Sequence, residues 1–208
     1  MGEGQGLRGG RRCEASWGPS WVFAGHDVRN HQKGIVRPED FDAKYPLILS
    51  WIQGTLARHM PQAHPVSSLS FKRLRHYFNP EFLASSKVVY VAAVPTPPLS
   101  ALGFNQFSDF EKMNAMGITY LDTFFSREEG RGNESLHFHE LVHVLQWQLL
   151  GPKAFIAAYA DGLERNGYRR SPLEVMAYTL ESVFKNSANP FDVAAVVRDQ
   201  ITALYPTP

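Results

Sequence analysis

The chain has 208 residues, enough for one domain with a real core or for a domain with tails. With 21 basic and 20 acidic residues its net charge is +1, so no general attraction to nucleic acid or an anionic membrane is expected. The single cysteine, Cys13, excludes an internal disulfide and a thiolate zinc cluster, and nothing approaches the roughly 18 consecutive apolar residues of a membrane span.

Residues 1–35 read as a flexible arm. Five of the first ten are glycine, Arg11-Arg12 follow, and little apolar surface is available to offset ordering entropy. Trp17, Trp21, Val22 and Phe23 are the exception. This start lacks the apolar stretch of a secretory signal, so a cytoplasmic protein is expected, with signal-independent export left open.

The folded region, 36–208, opens at Pro38-Glu39-Asp40, where a proline and two acids suit a helix N-terminus. Phe41, Tyr45, Ile48, Ile52 and Leu56 continue at helical spacing to about His59. A short helix is predicted over Ser70–Tyr77, within a basic run read as a solvated face, and Asn79-Pro80-Glu81 starts another brief turn. Lys87–Val94 is a β-branched run stopped by Pro95, the pattern of a strand buried on both faces. A short helix near Phe107–Asn114 leads through Gly117 to Ile118–Phe125, read as a second strand. Beyond the next helix, further helices are predicted over about 152–165, 172–186 and 190–203. The order implies an α+β fold, mostly helical, with a small sheet packed on that next helix.

That helix carries the chemistry. In SLHFHELVHVLQWQLLG, Asn133-Glu134-Ser135 offers an N-cap and a favourable charge, and Gly151-Pro152 ends the pattern after about four turns. His139 and His143 are four residues apart, about 40° around a helix axis, so both imidazoles leave one face. Glu140 stands beside them to handle a proton. The spacing is the HExxH signature of zinc-dependent hydrolases, and composition alone would supply only about 0.02 such matches.

A catalytic zinc takes three protein ligands and leaves a position for water. No histidine follows His143, so a carboxylate is expected, from among Asp161, Glu164, Glu174, Glu181 and Asp192. Glu174 is the choice, since a helical hairpin would return it to the motif. Its alternative role is local: Ser171-Pro172-Leu173-Glu174 has the form of a capping box, with the glutamate reaching back to the Ser171 amide. Glu181, two turns further on the same face, suits an acceptor for a ligand histidine. His137 is rotated about 200° from His139 and points away. Glu134-Ser-Leu-His137 and Glu140-Leu-Val-His143 share one helix, which disfavours a di-iron bundle. Tyr168 and Tyr178 are candidate phenol donors to a developing oxyanion, with Tyr178 preferred because it lies one turn after Glu174. Cys13 reads as a free thiol.

HELVHVLQ, followed by PLEVMAY with Glu174 31 residues after His143, resembles the glutamate-zincin metallopeptidases, the thermolysin-like group in the broad sense. It is most similar to small bacterial members with a glutamate in an ExxA helix, over roughly residues 118–185. The resemblance implies one zinc ion per chain held by His139, His143 and Glu174, with Glu140 as general base. It also implies a peptide or protein substrate. The expected function is therefore a zinc metallopeptidase, with substrate lying beside the 118–125 strand. Two alternatives are a catalytically silent zinc-binding interaction module and a toxin-like effector protease with one target. The intact Glu140 argues against the first.

Overall fold

Helix α1 spans Pro38–His59 and carries Phe41, Ile48, Ile52 and Leu56 into the core at helical spacing. It begins the part of the protein that a computed structural model describes, residues 38–206; the arm expected over 1–35, with Cys13, lies outside the described residues. Two 3-10 turns, Met60–Gln62 and Val66–Ser68, flank the two-residue strand β1 at His64–Pro65. The helix predicted over Ser70–Tyr77 is only the 3-10 turn Leu74–His76. The reason is a competing acceptor: the Glu134 carboxylate takes the backbone N–H groups of Arg73 and Leu74 at 2.7 and 3.1 Å. Helix α2, Pro80–Ser85, follows with Asn79 capping the Phe82 amide at 2.7 Å.

Strand β2, Lys87–Val91, stops three residues short of the expected end, and only Val88 and Val89 are fully buried. A 3-10 turn at Asn105–Phe107 runs into the one-turn helix α3, Ser108–Glu111, shorter than the 107–114 helix predicted. The stretch 118–125, expected as one strand, is a hairpin: β3 is Gly117–Tyr120 and β4 is Thr123–Arg127. Its turn places Leu121 at φ 57°, a conformation that leucine rarely signals. Asp122 anchors the turn, its carbonyl accepting from the Lys87 amide at 2.9 Å and its carboxylate pairing with the Lys87 ammonium. The sheet order is β1-β2-β4-β3, with β2 and β4 parallel and the other pairs antiparallel.

Helix α4, Glu134–Asn166, packs across β3 and β4, capped by Asn133 on the Leu136 amide at 3.1 Å. The stop predicted at Gly151-Pro152 is a sharp kink within it, with Gly151 at φ 73° and ψ 163°. In a straight helix, residues eight apart are about 12 Å apart along the axis. Across this kink the Trp147 and Phe155 rings instead stack at 3.9 Å. Helix α5, Pro172–Asn186, buries Leu173, Met176, Ala177, Leu180 and Phe184, one stripe facing α4, where Phe184 stacks on Phe138 at 4.4 Å. Helix α6, Val193–Leu204, buries Val193, Val197 and Ile201 and also packs on α4. The fold is thus α+β, and the buried apolar residues from Ile48 to Ile201 form one cluster. No helix among the described residues is long and apolar enough to cross a membrane.

Candidate metal centre

The middle of α4 is buried on nearly every side, so any polar group there needs a partner supplied by the fold. His139, Glu140 and His143 all sit in this stretch, each no more than 5 % exposed. Packing of α5 against α4 brings Glu174, 2 % exposed, to the same point. One ligand atom from each of His139, His143 and Glu174 lies within 4.8 Å of the others. The separations are 3.2 Å between the two histidine Nε2 atoms, 3.3 Å from His143 Nε2 to Glu174 Oε1 and 3.6 Å from His139 Nε2 to Glu174 Oε2. With each donor this near the next, the three residues form a group that could hold a metal ion. A second observation agrees. Glu174 Oε2 is buried and accepts no hydrogen bond, which is costly for a carboxylate oxygen unless a cation faces it.

The capping-box alternative for Glu174 is not what the structure contains. Ser171 precedes α5, but its side chain makes no cap hydrogen bond and its hydroxyl is unpaired. Glu174 is instead held by Tyr159, whose hydroxyl donates to Oε1 at 2.7 Å. Of the other carboxylates considered, Asp161 pairs with Arg165 and Asp192 caps the Ala195 amide at the start of α6, while Glu181 lies on the far side of the His139 ring, 3.4 Å from its Nδ1.

His143 is oriented by a hydrogen bond behind it, whereas His139 has a carboxylate nearby but no hydrogen bond at Nδ1. His143 Nδ1 lies 2.7 Å from Gln146 Oε1, and the Gln146 amide nitrogen donates to the Leu173 carbonyl at 3.0 Å. A carbonyl can only accept, so the glutamine NH₂ must face Leu173 and its oxygen must face His143. His143 therefore carries its proton on Nδ1 and presents the Nε2 lone pair to the site. His139 Nδ1 lies 3.4 Å from Glu181 Oε2, which is itself paired with Lys185. Burial opposes an imidazolium at His139, but Glu174 and Glu181 outweigh it and push its pKa up to about 10. The same neighbours act in reverse on Glu174: burial raises its pKa, and the two histidines lower it well below the carboxylate range. The cluster is built to attract positive charge.

Glu140 does not join the three. Its Oε2 accepts from the Thr119 hydroxyl at 2.7 Å, which ties the carboxylate to β3. A Cβ at Gly117 would overlap Glu140 Oε1, so glycine there makes room for the carboxylate. Burial raises the Glu140 pKa, partly offset by His139 and His143, leaving a stronger base than an exposed glutamate.

Among the tyrosines, Tyr178 packs its half-buried ring 4.5 Å from His139, and Tyr168 lines a pocket together with Glu140, His143 and Glu174. Burial raises both phenol pKa values. His137 points away from the cluster. It is buried against Phe71 and Phe124, with Nε2 at 2.9 Å from the Tyr90 hydroxyl and Nδ1 at 2.8 Å from the Asn133 carbonyl.

Four contributors escaped the sequence reading: Gln146, Tyr159, Thr119 and Gly117. Gln146, one turn after His143, was legible in principle. Tyr159 was not, because it lies beyond a kink whose direction no local pattern encodes.

The pocket holds about 110 Å³ and is walled mainly by apolar side chains of α1, the 96–115 segment, β3 and the second half of α4. Beta-strand β3 is the sheet edge beside it. Met116 O accepts from the Arg127 amide, so by alternation the groups of Gly117 and Thr119 face outward from the sheet. The Thr119 carbonyl is already taken, accepting from the Trp147 indole at 3.1 Å. The substrate path expected along 118–125 is therefore narrowed: β4 is interior, and β3 has one outward acceptor occupied. Comparison with protein-family models, with curated proteins and with solved structures found no match to this chain.

Proposed function

We propose that this protein is a zinc-dependent hydrolase of peptide or amide bonds, with one metal ion held by His139, His143 and Glu174. The observation that carries the reading is the buried convergence of these three side chains beside a fourth group, the Glu140 carboxylate, that stays outside the cluster. A structural zinc site closes its coordination with four protein ligands and needs no base, whereas three ligands and a neighbouring glutamate suit catalysis.

Zinc, when bound, supplies Lewis acidity and lowers the pKa of water toward ~7. The remaining roles belong to the chain. Gln146 orients His143, Glu181 places negative charge 3.4 Å from His139 Nδ1, and Tyr159 holds one oxygen of Glu174. Glu140, anchored through Oε2 to Thr119, takes the proton of the attacking water at Oε1 and delivers it to the leaving nitrogen. Its raised pKa favours the first of these transfers, uptake of the proton. Tyr178 and Tyr168 stay protonated across the neutral range, so either phenol is available to donate to the developing oxyanion.

The test is metal analysis of the purified protein beside His139→Ala and His143→Ala, with Glu140→Gln assayed for hydrolysis of a short-peptide library. One zinc per chain, lost in both histidine variants, is expected, with activity lost and metal kept in Glu140→Gln. Full metal retention by both histidine variants would sink the reading.

A further inference from the structure

The groups that must touch a substrate are shut in. His139, Glu140, His143 and Glu174 are each no more than 5 % exposed, so a peptide or amide reaches them only if part of the chain moves. Helices α4 and α5 are unsuited to that movement, because their packing builds the cluster itself. Residues 95–115, in the connection from β2 to β3, are better suited. They supply Leu99, Phe107 and Phe110 to the wall facing Glu140 and His143, and their regular structure is limited to the turn Asn105–Phe107 and the short helix α3. Connections in compact domains usually run about 4–6 residues, and much longer ones tend to be binding loops or lids.

The bonding within this strap lets it move as one piece. The Leu102 and Phe104 amides donate to the Pro98 and Leu99 carbonyls, and the Met113 amide donates to the Phe110 carbonyl. Glu111 stitches the two limbs together: its carboxylate accepts from the Ser100 amide and hydroxyl at 2.9 and 2.7 Å, and its carbonyl accepts from the Thr96 hydroxyl at 3.1 Å. Ties to the body of the domain sit at the two ends. The Pro95 carbonyl accepts from the Tyr120 hydroxyl, and the Asn114 side-chain oxygen accepts from Arg127, both at 2.7 Å. Near the middle the contact is lighter. The Lys44 ammonium of α1 donates to the Gly103 carbonyl at 3.3 Å, in an exposed bond, and stands 4.5 Å from the centre of the Phe104 ring. Phe110 rests on Tyr159 and Tyr168 through ring contacts at 5.8 and 6.3 Å, which part without stranding a polar group.

Resting on the metal-centre reading above, we infer that residues 95–115 form a lid, hinged near Pro95 and Asn114 and latched by Lys44, which swings away to admit substrate and recloses over it. The latch is made in the closed state whether or not the site is loaded. Its loss therefore speeds opening in both directions of binding and leaves the affinity of the closed complex in place.

The test uses the zinc-loaded full chain, its tryptophan fluorescence, and acetyl-dileucine hydroxamate as the probe. In stopped flow the binding rate should level off as probe concentration rises, because opening becomes limiting. Lys44→Met keeps the aliphatic stem and removes the latch. Loss of one exposed hydrogen bond and one exposed cation–π contact should raise the plateau and the dissociation rate each about fivefold, with affinity within about twofold and zinc content unchanged. Lys44→Arg keeps a cation over Phe104 and should return both rates toward the parent. Hydrogen exchange without the probe gives a reading that does not depend on the metal. The amides of Leu102, Phe104 and Met113 should share one level of protection, lower than that of His143 and Val144 in α4, and about fivefold lower again in Lys44→Met.

Binding that stays linear in probe concentration, or equal rates in the parent and Lys44→Met, overturns the lid. Strap amides as well protected as those of α4 overturn it too. If the chain holds no zinc and binds no hydroxamate, the metal-centre reading fails, and the lid's role in admitting substrate falls with it.

Discussion

Replacing Tyr159 by phenylalanine isolates the hydroxyl that holds Glu174. The ring should stay in place, because Phe155 and Phe110 pack on it at 5.7 and 5.8 Å and no volume is lost beyond one oxygen. What disappears is the 2.7 Å hydrogen bond to Glu174 Oε1. A hydrogen bond to a charged acceptor contributes about 1.5–3 kcal/mol, so the metal-free protein should lose stability of that order. Removing a group that orients a metal ligand costs about 10–100-fold in affinity, which is ~1.4–2.7 kcal/mol and agrees with the first figure. Competition for zinc against a chromophoric chelator near neutral pH measures the affinity, and thermal melts of the metal-free protein measure the stability. Both should fall. If Tyr159→Phe melts earlier but binds zinc within twofold of the parent, Tyr159 is a packing residue and its role toward Glu174 is refuted.

Glu174→Gln should weaken zinc at least ~10-fold while α5 keeps its helicity by circular dichroism, since no capping bond is lost; unchanged affinity would remove Glu174 from the metal set. Gly117→Ala should retain zinc yet lose on the order of 100-fold in hydrolysis, because the new Cβ displaces the Glu140 carboxylate; activity within threefold of the parent would contradict that geometry. Free zinc at ~1,000 times its dissociation constant should stabilise the protein by about 4 kcal/mol. That gain should vanish in His139→Ala, and equal stabilisation of parent and variant would show the ion binding elsewhere.

Much of the candidate site was legible because its determinants are local. The i, i+4 spacing of His139 and His143 needs only a helix, and Asn133 and the apolar residues of that segment announce one. The α5 boundaries were equally plain from Pro172 and the stripe ending at Phe184. The hairpin within 117–127 was not, because its turn rests on Leu121 at positive φ, where sequence normally signals glycine or asparagine. The helix predicted over Ser70–Tyr77 failed for a related reason. Its amides are claimed by Glu134, 60 residues away from Leu74 along the chain.

The sequence by itself determined the α+β class, the motif helix and the identity of the residues able to bind a metal or move a proton. Those follow from periodicity, caps and the chemistry of His-Glu-His spacing, all of which operate within a few turns of one helix. Tertiary structure alone decided which groups face Glu174. Local sequence offered it the Ser171 amide, and only the packing of α5 on α4 brings it beside His139 and His143 instead. The kink at Gly151 acts from the other side, folding Tyr159 back to hold Glu174 Oε1. Packing direction after a kink depends on every surface the second half of α4 can bury, from Trp147 to α5, and no local pattern contains that sum.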